Sequence, residues 1–276
     1  MQAKDLPFTP YCFPAIVEPI DGNVPFDGQR VRLLYEGGTL QALTWIGLPS
    51  KDILTRMAAN VTLVELPTPH ARYLMMQCAF NPSLPQLNLL HESVCPLPGV
   101  VIQTKSLIKQ IQNAPLRALV VNALIQREAA LAYWITPASL CDHHNYAGGL
   151  AKHSLEVATM VSASTRLSDE DRDLGVALAL LHDYGKIWCY RNGKYTADHK
   201  RGGHDLVGLE KLKTPLEELV ATCPATGAKM EELLGALCQR TNKRYPLAIG
   251  RIVNAFDQMS WEMTRQPEDD LANIPF

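Results

Sequence analysis

Asp142-His143-His144-Asn145-Tyr146-Ala147-Gly148-Gly149-Leu150-Ala151-Lys152-His153 is answered further along the chain by His182-Asp183. Six of the eight histidines fall between His143 and His204. Such density suits packing poorly, because each ring brings a polar nitrogen that must find a partner when buried. Histidine and carboxylate together are ligands for a divalent metal, which needs three or four of them converging. The pattern predicts one helix over 150–166 that carries His153 early. A second, over 171–190, carries His182 and Asp183 near its end, after Leu178-Ala-Leu-Leu181 has buried one face. Asp169-Glu-Asp171 supplies the negative charge favoured at its start. Neighbouring helix positions diverge by about 100°, so His182 and Asp183 reach one ion only from its side. A further ligand must come from elsewhere, and Asp257, an acid inside the apolar run Ile252-Val-Asn-Ala-Phe-Asp-Gln-Met, is the candidate. An unpartnered buried carboxylate costs several kcal/mol, and a metal removes that cost.

The set His153 … His182-Asp183 … Asp257 resembles the HD superfamily of metal-dependent phosphohydrolases, helical domains named for the adjacent pair. The stretch Pro137-Ala138 … His143-His144-x-Tyr146-x-Gly148-Gly149-Leu150-x-x-His153 … Glu156 is similar to two nucleic-acid-acting branches. These are the YhaM-type 3′-to-5′ exoribonucleases, which place an OB-fold before the HD domain, and the TraI-type conjugative relaxases. The resemblance implies metal ligation by His153, His182, Asp183 and Asp257. It implies that Lys186 meets a substrate phosphate as a point charge, and that His204 serves a second metal or touches phosphate. Two-metal members carry another histidine where this chain has Leu237-Cys238-Gln239-Arg240, so one ion is favoured over two. Manganese fits the ligand set best, with iron, zinc, nickel and magnesium left open. His143 and His144 are expected to orient the ligands by hydrogen bonds or to touch substrate. Gly148-Gly149 reads as a tight turn that lets backbones pack closely.

Positive charge gathers past the pair, at Lys186, Arg191, Lys194, Lys200 and Arg201, and later at Arg240, Lys243, Arg244 and Arg251. A solvated face accounts for many of these, but the clustering also suits a polyanionic substrate. Trp188, Tyr190 and Tyr195 lie among them as candidates for base stacking, with core packing the plain alternative for Trp188.

Outward from this centre the pattern divides the chain. Residues 106–134 are apolar at helical spacing, jointed at Asn113-Ala-Pro115. Shorter helices are expected over 206–212, 216–221 and 229–240, and a last one over 246–263. The first hundred residues hold most of the prolines. They read as strands over 31–35, 39–46, 61–66 and 73–80, with a short helix over 52–59 capped by Ser50. That order suits a small OB-like barrel, any small β-rich domain being the alternative. The fold class is therefore mainly α: an all-helical HD domain over 104–265 behind a small β-rich, OB-like domain with its linker over 1–100, and a mobile acidic tail over 266–276.

Length and composition agree with this division. The 276 residues are comfortable for two domains, and 47% apolar with 20% charged is ordinary folded composition. A net charge of −2 argues against binding nucleic acid through a global basic surface, though not against a local basic lining. Seven cysteines without close, even spacing suggest reduced thiols, and the chain starts with no export pattern, so a cytoplasmic location is expected. No apolar run approaches the roughly 18 residues a membrane helix needs. The expected activity is phosphoester hydrolysis, foremost a nuclease on single-stranded RNA or DNA. A nucleotide phosphohydrolase is the second reading, and a conjugation-related module acting through partners the third.

Overall fold

The computed structural model describes residues 9–20, 24–48, 58–66, 72–81, 83–126, 128–142, 144–239 and 245–263. Two compact units emerge: residues 1–94 with 125–128, and 95–124 with 129–276.

The first unit is a closed barrel of five strands, β1 (Tyr11–Ile20), β2 (Gln29–Tyr35), β3 (Gly38–Thr44), β4 (Ala58–Glu65) and β5 (Tyr73–Phe80), in the order β1-β2-β3-β5-β4. Antiparallel β1–β4 pairing closes the ring, and a parallel contact at Leu43–Leu74 joins β3 to β5. Alternate residues point inward, so Ala15, Val17, Val31, Leu33, Ala42, Ala59, Val61, Leu63 and Met75 fill the interior. β1 is absent from the sequence expectation because Pro14 and Pro19 argue against a strand. Residues 11–16 pair with β4 and 16–20 with β2. Each proline thus sits where the strand is paired on one side only, and its missing N–H is tolerated. The helix expected over 52–59 falls mostly outside the described residues, and Ala58 and Ala59 already belong to β4.

The second unit contains α1 (Val100–Gln110), α2 (Ala114–Leu124), α3 (Ala129–Ile135), α4 (Gly149–Ser162), α5 (Asp169–Leu181), α6 (Lys186–Cys189), α7 (Ala197–Thr222), α8 (Pro224–Leu237) and α9 (Ala248–Met263). Caps set several starts. The Asn113 side chain accepts from the Leu116 N–H at 2.9 Å, and Ser168 accepts from Asp171 N–H at 3.1 Å. The unit is not all-helical: Tyr190–Arg191 (β6) and Lys194–Tyr195 (β7) form a hairpin across Asn192-Gly193, both residues at positive φ. The continuous helix expected over 171–190 is also corrected. α5 stops at Leu181, residues 182–185 turn, and α6 restarts at Lys186. The two short helices expected over 206–221 are one helix, α7, kinked at Gly203 (φ 78°). Among the described residues no helix is long and apolar enough to cross a membrane. The acidic tail over 266–276 lies outside the described residues.

Candidate metal centre

α4, α5 and α9 pack against one another, and α6 lies on α7. Their ends deliver four side chains to one point. His153, on the buried face of α4, is fully enclosed, and its Nε2 lies 2.9 Å from Asp257 Oδ1 on α9. His182 caps the C-terminus of α5, and Asp183 follows in the turn. His182 Nε2 stands 3.3 Å from Asp183 Oδ2 and 3.6 Å from Asp257 Oδ1, and His153 Nε2 is 3.7 Å from Asp183 Oδ2. Donor atoms bound at about 2.1 Å to one ion are separated by roughly 3.0–3.4 Å, so these spacings suit a shared cation. Leaving the helix at Leu181 is what lets two adjacent side chains face the same point.

The protons support the same fit. His182 donates its Nδ1–H to the Ala179 carbonyl at 2.8 Å, so Nε2 is the nitrogen that can offer a lone pair once its own proton has left. That nitrogen is buried and makes no aligned hydrogen bond among the described residues, although two carboxylates flank it. Burial disfavours charge on the His182 ring, but Asp183 and then Asp257 outweigh it and raise the pKa to about 10. Burial likewise opposes the Asp183 charge, while Lys186 and His182 hold its carboxyl well below the usual range. Asp257 is lowered too, by His153 and His182 acting against burial. A buried carboxylate, Asp183, and a partly exposed one, Asp257, facing two imidazole nitrogens suit a positive charge between them. His153, His182 and Asp183 could hold a metal ion.

The other expected residues fall variously. Lys186 is buried and bonded to Asp183 at 2.5 Å, so its charge is already committed to that carboxylate. His204 Nε2 lies 3.3 Å from Asp183 Oδ1 and 3.4 Å from Asp205, with its side chain partly open to solvent. It arrives there because Gly203 breaks α7 and Gly185 lets α7 approach. A Cβ on Gly185 would sit 2.0 Å from the His204 carbonyl oxygen. Gly149 is equally tight, since its Cβ would meet the His144 carbonyl oxygen at 2.0 Å. His144 is buried, bonded to Tyr146 at 2.5 Å and to Glu156 at 3.0 Å. Arg191 is exposed on the hairpin beside Tyr195, whose ring stacks on His199 at 4.0 Å. His143 and Arg240 lie outside the described residues. Trp188 packs edge-on against Tyr184 and carries Lys211 over its face. Glu156 and Ser260 were given no role by the sequence, yet each lies three positions beyond a residue of the cluster, His153 or Asp257, on the same helix face. That spacing was the available signal.

Comparison with known proteins agrees with this geometry. Residues 150–262 match the family described as HD domain. A dihydroneopterin 2′,3′-cyclic phosphate phosphodiesterase of Methanocaldococcus jannaschii is 30% identical over 128 residues, 41% of this chain and 50% of that protein. The chain thus spans about half the length of this curated relative. No solved structure matches the chain. Over residues 150–262, which carry His153, His182, Asp183 and Asp257, this chain is thus similar to the HD-domain family.

Proposed function

We propose that the chain is a metal-dependent phosphodiesterase that cleaves single-stranded nucleic acid. One observation carries the phosphodiesterase reading: the Nε2 atoms of His153 and His182 each lie 2.9–3.7 Å from a carboxylate oxygen of both Asp183 and Asp257. His153, His182, Asp183 and Asp257 would hold one divalent ion, with manganese the best fit to two nitrogens and two carboxylates. Such an ion supplies Lewis acidity, polarising a phosphoryl oxygen and activating water. The chain's own groups do the rest. Lys186 keeps Asp183 ionised and aimed. His204, on the open side, is placed to donate from Nε2 to a phosphoryl oxygen or to carry the proton to the leaving oxygen. Arg191 and Lys194 add positive charge for a polyanion.

The nucleic-acid part rests on the barrel. Its strand order, with β1 shared between β2 and β4 and with parallel β3 and β5, supports an OB-fold, a common platform for single strands. Trp45, half-exposed, and Phe26, exposed almost completely, offer faces on which bases stack. A second reading is favoured by the relative, whose name specifies a small cyclic phosphodiester: a nucleotide-sized 2′,3′-cyclic phosphate as substrate.

RNA, single-stranded DNA, mononucleotides and 2′,3′-cyclic nucleotides, each assayed with Mn, Fe, Zn, Ni and Mg, separate these readings. Turnover of oligonucleotides is expected, lost in Asp183→Ala with the helical circular dichroism kept. Hydrolysis confined to cyclic mononucleotides would move the assignment to the second reading. Metal-independent activity in Asp183→Ala would sink both.

A further inference from the structure

Behind His153, on the side away from the two aspartates, a chain of hydrogen bonds runs through three elements. His153 Nδ1 lies 3.1 Å from Ser260 Oγ on α9. Ser260 donates to Glu156 Oε2 at 2.9 Å, and His144 Nε2 meets the same oxygen at 3.0 Å. The other Glu156 oxygen takes Lys152 at 3.3 Å. Tyr146 O–H stands 2.5 Å from His144 Nδ1.

The proton directions follow from the donor inventory. A carboxylate only accepts, so both Ser260 O–H and His144 Nε2–H point at Glu156. A hydroxyl has one proton, and Ser260 has given it to Glu156. Its oxygen can therefore only accept from His153, which must carry a proton on Nδ1. His153 Nε2 is itself bonded to Asp257 Oδ1 at 2.9 Å and stands 3.7 Å from Asp183 Oδ2; with Nδ1–H held by Ser260, it is the Nε2 proton that a cation would displace, which frees the lone pair on that side. The proton of His144 is set the same way, with Nδ1 left to accept from Tyr146. His144, His153 and Glu156 are close enough to hold a second ion themselves. The Ser260 hydroxyl fits between His153 and Glu156 at hydrogen-bond distance to both, however, and a metal there would need His153 stripped of both protons.

We propose that Ser260 and Glu156 are positioning residues that fix His153 as its Nδ1–H tautomer, ring oriented, with Nε2 presented to the metal centre. The proposal rests on the ligand assignment given above. Ligating histidines commonly pass their second N–H to a carboxylate, and loss of that partner costs about 10–100-fold in metal affinity. Here a serine on α9 is interposed, so the helix that supplies Asp257 also sets the tautomer of His153. The outer end of the relay borders a cavity of about 460 Å³ lined by Lys152, Leu155, Met160 and Met263, so Glu156 can be altered without breaching the enclosed centre.

Two measurements on the full chain test this. Titration with Mn²⁺ alone, followed by its paramagnetic resonance signal, should show affinity reduced about tenfold or more in Ser260→Ala and Glu156→Gln. Ser260→Thr, which keeps the hydroxyl, should recover most of it. Histidine ¹⁵N shifts of the metal-free protein should show His153 Nδ1 protonated in the wild type and unprotonated in Ser260→Ala, where the proton facing Asp257 on Nε2 is the one kept. Unchanged Mn²⁺ affinity in Ser260→Ala would overturn the proposal. So would a second bound ion that Glu156→Gln abolishes. If the wild type binds no divalent ion, the ligand reading fails, and the shifts then decide the relay alone: identical spectra in wild type and Ser260→Ala would overturn it.

Discussion

His182 joins a buried ring to two carboxylates, and its proton competes with the metal for one lone pair. With a pKa near 10, Nε2 carries a proton at neutral pH in the metal-free protein. Each ion bound must release it, so affinity should climb by up to about tenfold per pH unit towards 10 and level off above. Calorimetry in buffers of differing ionisation heat would register the released proton, and a flat affinity across this range would rule the linkage out. Glu156 acts at the acid end. Burial works against its charge, but hydrogen bonds from His144 and Ser260 prevail and take the pKa from 4.5 to about 2. A carboxyl lowered on folding stabilises above its unfolded pKa and loses that contribution as pH falls towards the folded value. The wild type should therefore lose stability between pH 4.5 and about 2 by more than Glu156→Gln does. Superposable acid denaturation curves for the two would exclude it.

Where α7 passes the turn after α5, two glycines decide the geometry. A Cβ on Gly185 would press on the His204 carbonyl oxygen at 2.0 Å and the Gly208 nitrogen at 2.5 Å, both backbone atoms with no rotamer to retreat into. Gly185→Ala should cost about 1–3 kcal/mol or more in denaturant unfolding and displace His204 from Asp183. Gly203→Ala meets open space but must hold φ at 78°, so about 1–2 kcal/mol is expected from strain alone. An unchanged unfolding midpoint in either variant would contradict this view of the kink. These devices mark where the sequence was mute. His153, His182, Asp183 and Asp257 could be singled out because each breaks a local rule, an acid or histidine set in an apolar helical run. The break after Leu181 could not, because apolar periodicity carries on through Ile187 and Trp188. β1 was hidden by two prolines that only its half-and-half pairing makes acceptable. Ser260 looked like any small helix residue, since its meaning lies in what α4 brings to it.

The barrel and the helical unit each bury a core of their own. Leu33→Ala opens a hole among the barrel's inward residues and should destabilise the barrel by about 2–5 kcal/mol. The same change should leave Mn²⁺ affinity unaltered, and an affinity loss would show the centre to depend on the barrel. For the helical unit, a ligand present at a hundred times its dissociation constant adds about 2.7 kcal/mol. The metal centre draws His153 and Asp257 together from 104 residues apart, with His182 and Asp183 between them in the chain. An ion there is a clasp on a long loop. Its donors are assembled only when α4, α5 and α9 have all docked, so it cannot guide early folding. Held there, it would act instead as a late latch that slows unfolding more than it speeds folding. Chelation should accordingly shorten the lifetime of the native state against protease, long before any loss of helix is visible.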